Sequence, residues 1–160
     1  MKKLILILCI AMSGQAYGQY IFDDNFKETT LDLYEDLVYL NDDVLKNGDC
    51  NNAYRLNDIA IRVEHIMTLM VTINDLLAIK AGTKSILNKS EAGKVGRDSY
   101  NYINDTFVMR TDNLIMKSNT LIKVINNHMT PLLGSGQVIA NDLRKHVREI
   151  KRRTEKYKDI

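Results

Sequence analysis

The sequence predicts an all-α protein, an elongated antiparallel bundle of about four helices that follows a cleaved signal peptide. Apolar residues recur at steps of three and four along most of the 160-residue chain, which is the spacing of one helix face. The chain contains a single proline, Pro131, so little interrupts helix formation. No stretch of useful length shows the apolar–polar alternation of a strand. Long helices with short connections pack antiparallel, crossing at about 20°.

Residues 1–18 have the pattern of an export signal. Two lysines precede an unbroken apolar run, Leu4–Met12, and Ala16 and Gly18 place small residues at the two positions that a signal peptidase recognises. The run is far shorter than the about 20 residues that cross a bilayer. We therefore expect residues 19–160 to form a single helical domain, exported to the periplasm or cell surface of a Gram-negative bacterium.

Two helices are predicted in the first half of this domain, over residues 23–47 and 51–87. The first has an apolar stripe stepping by four and three through Phe26, Thr30, Leu33, Leu37, Leu40 and Val44. It ends at Asn47–Gly48, residues that tolerate the left-handed cap. The second has a wider stripe, which indicates burial against more than one neighbour, and runs through Leu56, Ala60, Val63, Met67, Met70, Ile73 and Leu77.

Two further helices are predicted over residues 97–128 and 136–158. The glycines and serine of residues 88–96 predict a loop before the first of them, Pro131 ends that helix, and Ser135 is the predicted N-cap of the last. The third helix has polar residues on its apolar stripe, which indicate either a broken core stripe or a partner contact; the stripe contains Tyr100, Ile103, Phe107, Arg110, Leu114, Ser118, Leu121 and Ile125.

The two ends of the domain carry opposite charge, which the net charge of +2 for the whole chain conceals. Residues 19–49 hold nine acidic and two basic residues, whereas residues 144–160 hold eight basic and three acidic ones. Either two solvated helix faces differ in sign, or the ends attract each other within one antiparallel bundle or between subunits.

The sulfur-containing residues also lead to expectations. Signal cleavage removes Cys9 and leaves Cys50 alone, so no internal disulfide is formed. We expect this thiol to be buried or inert; the alternative is pairing with another chain. The methionines of the second and third helices are expected to fill the core, with an adaptable binding groove as the alternative; they are Met67, Met70, Met109, Met116 and Met129.

No motif predicts catalysis, a metal or a cofactor. His65, His128 and His146 lack the spacing of zinc ligands. Gly134–Gly136 is neither a nucleophile elbow nor a phosphate loop, since the flanking residues that those motifs require are missing. Neighbouring acids on the first helix indicate a solvated face, because no apolar pocket raises the pKa of one of them. The sequence therefore predicts a protein that is not an enzyme, without cofactor or small-molecule substrate.

Two groups of residues are candidates for contact with a partner: Tyr20, Ile21 and Phe22 after the cleavage point, and Arg144, Arg148, Lys151 and Arg152 on the last helix. The three bulky N-terminal residues either contact a partner or dock on the bundle. The basic helix fits other protein subunits or a membrane surface. Nucleic acid is not an expected partner of an exported protein.

The segment from Ser118 to Arg153, a helix, a polar turn and a basic final helix, resembles the TrbJ-like and minor-pilin families of conjugative type IV secretion systems. The Gly18-Gln19-Tyr20 junction is similar to the variant in conjugative elements of Bacteroidetes. In the family the turn usually leads into an acid-rich helix start, whereas this chain has Leu133-Gly134-Ser135-Gly136. The resemblance implies an exported, non-enzymatic structural subunit of the transfer apparatus, periplasmic or at the pilus tip, with an all-α fold.

A periplasmic helical chaperone or binding protein of the cell envelope is the alternative. Such holdases combine helical arms with a strand-rich body and are basic. The missing strands and the near-neutral charge of this chain argue against that class.

Overall fold

The computed structural model describes residues 20–87, 93–129 and 134–158. These residues form four helices and contain no strand. The helices are α1 Asp24–Lys46, α2 Cys50–Leu87, α3 Gly93–His128 and α4 Ser135–Lys158. The predicted all-α bundle is therefore confirmed, while the predicted signal peptide lies outside the described residues.

The ends of α1 agree with the prediction to within one residue. Asp23 is its N-cap, with an extended backbone (φ −69°, ψ 169°) and a side chain that accepts a hydrogen bond from the Phe26 N–H at 2.9 Å. At the other end, Gly48 has a φ of 81°, a left-handed conformation that glycine adopts without strain. The chain can thus turn within three residues into α2.

Two predictions at helix starts are wrong. Residues 93–96, predicted to belong to a loop, form the first turn of α3. Each glycine there costs about 1 kcal/mol relative to alanine, but extending a helix that already exists is much easier than starting one. Ser135 is not the N-cap of α4, because the Gly134 carbonyl accepts the first helical hydrogen bonds, from Gln137 and Val138. Gly134 has a φ of 61°, a left-handed conformation that suits glycine.

The helices follow one another around the bundle in chain order. α2 packs against α3, α1 lies along α2, α4 lies along α3, and a smaller contact between α1 and α4 closes the ring. Among the described residues, the diagonal pairs α1–α3 and α2–α4 make no contact. Consecutive helices are thus antiparallel neighbours around one core.

The core follows the predicted stripes, with polar interruptions. Phe26, Thr30, Leu33 and Leu37 of α1 are buried, as predicted. In α3 the buried positions are Phe107, Thr111, Leu114, Ser118, Leu121 and Ile125. Ser118 is fully buried, so at this position the polar residue marks a break in the core rather than a partner contact, while the half-buried Arg110 leaves both alternatives open.

α2 and α3 extend beyond the other two helices. They have 38 and 36 residues, about 55 Å, whereas α1 and α4 have 23 and 24, about 35 Å. The bundle of four ends where Phe22 meets Asn74 of α2 and where Lys158 pairs with Asp112 of α3 at 2.6 Å. Beyond that level, residues 75–87 and 93–106 form a two-helix projection, called the arm below.

Candidate interaction surfaces

The predicted N-terminal contact residues divide between the core and the surface. Ile21 and Phe22 are 2% and 0% exposed, whereas Tyr20 is 61% exposed. Docking on the bundle is therefore the correct alternative for Ile21 and Phe22, because their apolar side chains complete the core at the base of the arm. Of the three residues, only Tyr20 exposes most of its surface to solvent, where a partner could contact it.

Asn74 of α2 holds this segment through the main chain of Phe22. Its Nδ2 donates to the Phe22 carbonyl at 2.7 Å, and its Oδ1 accepts from the Phe22 N–H at 3.2 Å. Asn74 is only 4% exposed. One amide thus satisfies a donor and an acceptor that would otherwise be buried without partners.

The ring of Phe26 lies between two side chains of α4. Its centroid is 4.2 Å from that of the His146 ring and 4.0 Å from the Arg153 guanidinium carbon. Residues seven apart on a helix are about 10 Å apart along its axis, so Phe26 fills the gap between the two. The stack, with a cation–π contact at one end, joins α1 to α4.

The hydrogen bond of His146 determines its tautomer. Thr30 Oγ1 lies 2.8 Å from His146 Nε2 and donates its only proton to the Phe26 carbonyl at 2.9 Å. His146 Nε2 must therefore carry a proton and donate to Thr30. Burial, followed by repulsion from Arg153, lowers the pKa of His146, with Glu149 acting in the opposite direction. The imidazole is thus neutral at neutral pH.

Arg153 connects both ends of the chain. It pairs with Asp23 at 3.3 Å and with Glu149 at 3.0 Å. The hydrogen bond from the Phe26 N–H is the main cause that lowers the pKa of Asp23; hydrogen bonds from Arg152 and then Arg153 lower the pKa of Glu149 to about 2. The acidic and basic ends therefore meet within one bundle at this pair, which supports the intramolecular alternative.

Sequence reasoning missed Asn74, His146 and Arg153 as anchoring residues. Asn74 lies next to the apolar stripe of α2, and a polar residue in such a place was the available signal. His146 and Arg153 are seven residues apart, which places them on one side of α4. Nothing local in the sequence connects these three side chains to Phe22 or Phe26.

The four basic residues predicted as contacts differ in their surroundings. Lys151 pairs with Glu155 at 3.6 Å, and Arg152 with Glu149 at 2.7 Å. Arg144 is half-buried and donates to Asn141 at 2.9 Å. Arg148 is exposed and forms no ion pair within the described ranges. A basic partner surface on α4 stays a prediction, with Arg148 its most accessible member.

The side of α3 that faces away from the core carries a second apolar stripe. Its members are exposed by 56–78% and recur every seven residues: Val95, Tyr102, Met109 and Met116. Core filling is therefore the wrong prediction for Met109 and Met116, although it is confirmed for Met70 and Met129. We call these four residues the outer stripe.

The borders of the outer stripe carry opposite charge. Three acids lie along one border, Asp98, Asp105 and Asp112, and two bases along the other, Arg110 and Lys117. Asp112 is paired with Lys158, but Asp98 and Asp105 form no ion pair with any described residue. The Arg110 Nε is buried without a hydrogen-bond partner within residues 20–87, 93–129 and 134–158.

On α2, the outward surface combines exposed apolar residues with an ion pair between Arg62 and Asp58 at 3.0 Å, and Arg62 lines a cleft together with Met116 of the outer stripe. Ile61 and Ile79 are 44% and 51% exposed. Threonines of this surface and of α3 donate their hydroxyl protons to a carbonyl four residues earlier, which leaves no free donor; they are Thr68, Thr72, Thr83, Thr106 and Thr120. These five threonine hydroxyls are therefore not available as donors to a partner.

Lys80 is the one buried residue in the described part of the arm. It is 5% exposed, and its Nζ lies 4.9 Å from the centroid of the Phe107 ring. Burial, and then repulsion from Lys84, lowers its pKa. The aliphatic part of Lys80 thus covers the top of the core where the arm begins.

Two open clefts lie on the surface of the described residues. One, about 210 Å³, lies between α2 and α3 and is lined by Arg62, His65, Met116, Lys117 and Thr120. The other, about 220 Å³, lies at the N-terminal anchor and is lined by Tyr20, Asp24, Lys27, Val71, Asn74 and Asp75. Their linings combine charged, polar and apolar groups with no arrangement of nucleophile and base.

Cys50 is exposed at the start of α2, so the prediction of a buried thiol is wrong. It begins α2, and the neighbouring Asn51 is exposed as well. Within the described residues, no three His, Cys, Asp or Glu side chains cluster as metal ligands. One stretch there, Cys50–Ser85, is long and apolar enough by length and composition to cross a membrane, a test that core helices also pass.

Comparisons with known proteins add no relative. No family model, curated protein or solved structure matches this chain. The functional conclusion therefore depends on the sequence and on the surfaces described above.

Proposed function

We propose that the chain is an exported, non-enzymatic structural subunit of a protein assembly in the cell envelope, with the conjugative type IV secretion apparatus as its setting. The arm is the observation that carries this proposal. It extends about 20 Å beyond the four-helix part and buries a single described residue, Lys80. A projection that contributes so little to its own core is suited to contact with other subunits.

The predicted export signal supports the same proposal. Cleavage after Gly18 would leave intact the whole N-terminal anchor, in which Ile21 and Phe22 are buried and Asn74 binds the Phe22 main chain. A mature chain that starts at Gln19 therefore has every contact needed to close the base of the arm.

The proposal is tested in the bacterium that carries the gene. The mature protein should begin at Gln19 by mass spectrometry and fractionate with the envelope. Deletion of the gene should reduce conjugative transfer, and the wild-type gene should restore it. A chain that is uncleaved and cytoplasmic would refute export.

The arm is tested by shortening it without changing helix phase. Deletion of residues 81–87 and 93–99 removes one heptad, about two turns, from each helix and keeps the remaining faces aligned. We expect this variant to fold but to fail in complementation. A matched control is Tyr39→Ala, which truncates a side chain 81% exposed on α1 and should complement fully. Full complementation by the shortened arm would refute its role.

A periplasmic chaperone is the second candidate, favoured by the exposed apolar residues of the outer stripe. A holdase would suppress aggregation of an unfolded client protein at stoichiometric concentration. Substitution of Met109 by lysine would then abolish the suppression, whereas conjugative transfer would be unaffected by loss of the gene.

A further inference from the structure

We propose that a second copy of this chain docks on the outer stripe, with the two α3 helices packed side by side and parallel. The proposal goes beyond an arm that contacts other subunits, because it names the occupant and the register of a contact along the outer stripe, of which Val95 and Tyr102 lie on the arm.

The spacing of the outer stripe is that of a helix packed against another helix. Val95, Tyr102, Met109 and Met116 repeat every seven residues, the period of a coiled-coil stripe. In heptad notation they occupy position d, and position a holds Ser99, Thr106, Asn113 and Thr120. Polar residues at position a weaken such a contact, whereas an asparagine at this position favours one register.

The charges on the two borders determine the orientation. The acids Asp98, Asp105 and Asp112 occupy position g, and the bases Arg110 and Lys117 occupy position e. In a parallel pair, each g residue faces the e residue five positions later in the other copy. Asp105 would thus meet Arg110 twice in each dimer. Asp112, which pairs with Lys158 of its own chain at 2.6 Å, would also face Lys117 of the other copy. An antiparallel pair would place like charges together.

The face is large enough for a stable dimer. From Val95 to Thr120 the stripe is about 39 Å long, and with the adjoining surface of α2 it is about 20 Å wide. The product is about 800 Å², the area that one partner contributes to a standard interface. The exposed isoleucines of α2, Ile61 and Ile79, extend the apolar part of this area.

Other surfaces fit a second copy less well. The exposed stripe of α1, Leu31, Val38 and Leu45, has acids along its border at Glu28, Glu35 and Asp42. Two such stripes would repel each other, since no base alternates with those acids. A membrane is also a poorer occupant of the outer stripe, because three aspartates border it and would repel anionic lipid.

The first test measures association of the chain from Gln19 carrying Cys50→Ser, by sedimentation equilibrium. We expect a dimer that Met109→Lys dissociates about 100-fold more readily, because a charge would be buried in an apolar contact. The matched control is Val38→Lys on α1, which should leave the dimer unchanged. Circular dichroism checks that both variants stay folded. A monomer at all concentrations, or a dimer insensitive to Met109→Lys, would overturn the proposal.

The second test exchanges one predicted pair. Asp105→Arg and Arg110→Glu should each weaken the dimer about tenfold, because each replaces attraction by repulsion. The double variant should restore it to within about threefold. Residues 105 and 110 lie about 140° apart around one helix, so this recovery has to come from contacts between copies. Failure of the double variant to recover would contradict the parallel register.

Orientation is tested with single cysteines at both ends of the stripe, again in the Cys50→Ser background. Ser99→Cys and Thr120→Cys should each form a symmetric disulfide under mild oxidation, since equal positions face each other in a parallel pair. Absence of both crosslinks would refute parallel packing. Binding of phosphatidylglycerol vesicles by a monomer, lost in Met109→Lys, would identify a membrane as the occupant and overturn the proposal. Sedimentation of the purified chain measures this contact without the complementation assay, so a failure of the dimer and a failure of the proposed function are distinguishable.

Discussion

Replacing Asn74 tests whether one buried amide holds the start of the fold. Asn74→Ala removes the two hydrogen bonds to the Phe22 main chain, at 2.7 and 3.2 Å. The Phe22 carbonyl and N–H would then be buried without partners. The burial of Ile21 and Phe22 depends on the same segment staying docked.

The cost follows from the number of groups left unpaired. A buried main-chain group that loses its partner costs about 1–3 kcal/mol. Two groups give about 2–6 kcal/mol, and we expect a value near 3 kcal/mol because the 3.2 Å bond is the weaker one. This cost is a large share of the free energy of unfolding of a typical domain, which is about 5–15 kcal/mol.

The assay is urea unfolding followed by circular dichroism. Asn57→Ala is the matched control, since Asn57 is exposed on the same helix and its replacement brings the same gain in helix propensity. That variant should stay within about 0.5 kcal/mol of the wild type. If Asn74→Ala cost no more than Asn57→Ala, the amide would not hold the N-terminal segment.

Asn74→Asp adds a test of the donor alone. Aspartate keeps the shape and the acceptor but places a carboxylate against the Phe22 carbonyl. Burial raises the pKa of such a carboxyl, so the folded state binds its proton more tightly than the unfolded state. Relative to the wild type, this variant should gain stability as the pH falls, when the protonated carboxyl can donate again. A pH-independent difference would contradict this account.

Three further substitutions have defined outcomes. The pKa of His146 is lowered below 6.5, so the unfolding free energy that the neutral imidazole contributes is fully present above that pH and is lost as the pH falls. His146→Gln should therefore reduce the loss of unfolding free energy between about pH 7.5 and pH 5. The pKa of Glu149 is lowered from 4.5 to about 2, so the stability that its carboxylate contributes is fully present above pH 4.5 and is lost only below it, outside the range of this experiment. Ser118→Ala should be neutral or stabilising by up to about 1 kcal/mol in urea unfolding, since the hydroxyl has no partner within the described chain. Cys50→Ser should change stability by less than about 0.5 kcal/mol and leave the sedimentation behaviour unchanged, because the thiol is exposed.

Helices and core positions could be predicted because they depend on local spacing. In α1, steps of four and three from Phe26 to Leu37 place these residues on one face, and a helix buries that face as a unit. Asn47 and Gly48 end the helix for an equally local reason. Errors arise where two local signals compete, as at Gly96, where glycine favours a loop but the helix has already begun at Gly93.

The N-terminal anchor could not be predicted, because its contacts join distant parts of the chain. Asn74 and Phe22 are 52 residues apart, and Arg153 and Asp23 are 130 residues apart. The unequal helix lengths are visible in the sequence. The position at which α1 docks along α2 is not, and this position places the additional length of α2 and α3 at one end, where it forms the arm. That level is determined by the contact between Phe22 and Asn74.

The outer stripe explains why the pattern of α3 is difficult to interpret from sequence. One set of positions seven apart, Phe107, Leu114 and Leu121, is buried in the bundle, and another, Tyr102, Met109 and Met116, faces solvent. Both sets are apolar, so spacing alone cannot tell which belongs to the core. The charges beside the outer stripe can, because charged side chains border the helix face that stays in contact with water. The dimer that we propose would give this face of α3 a second packing contact.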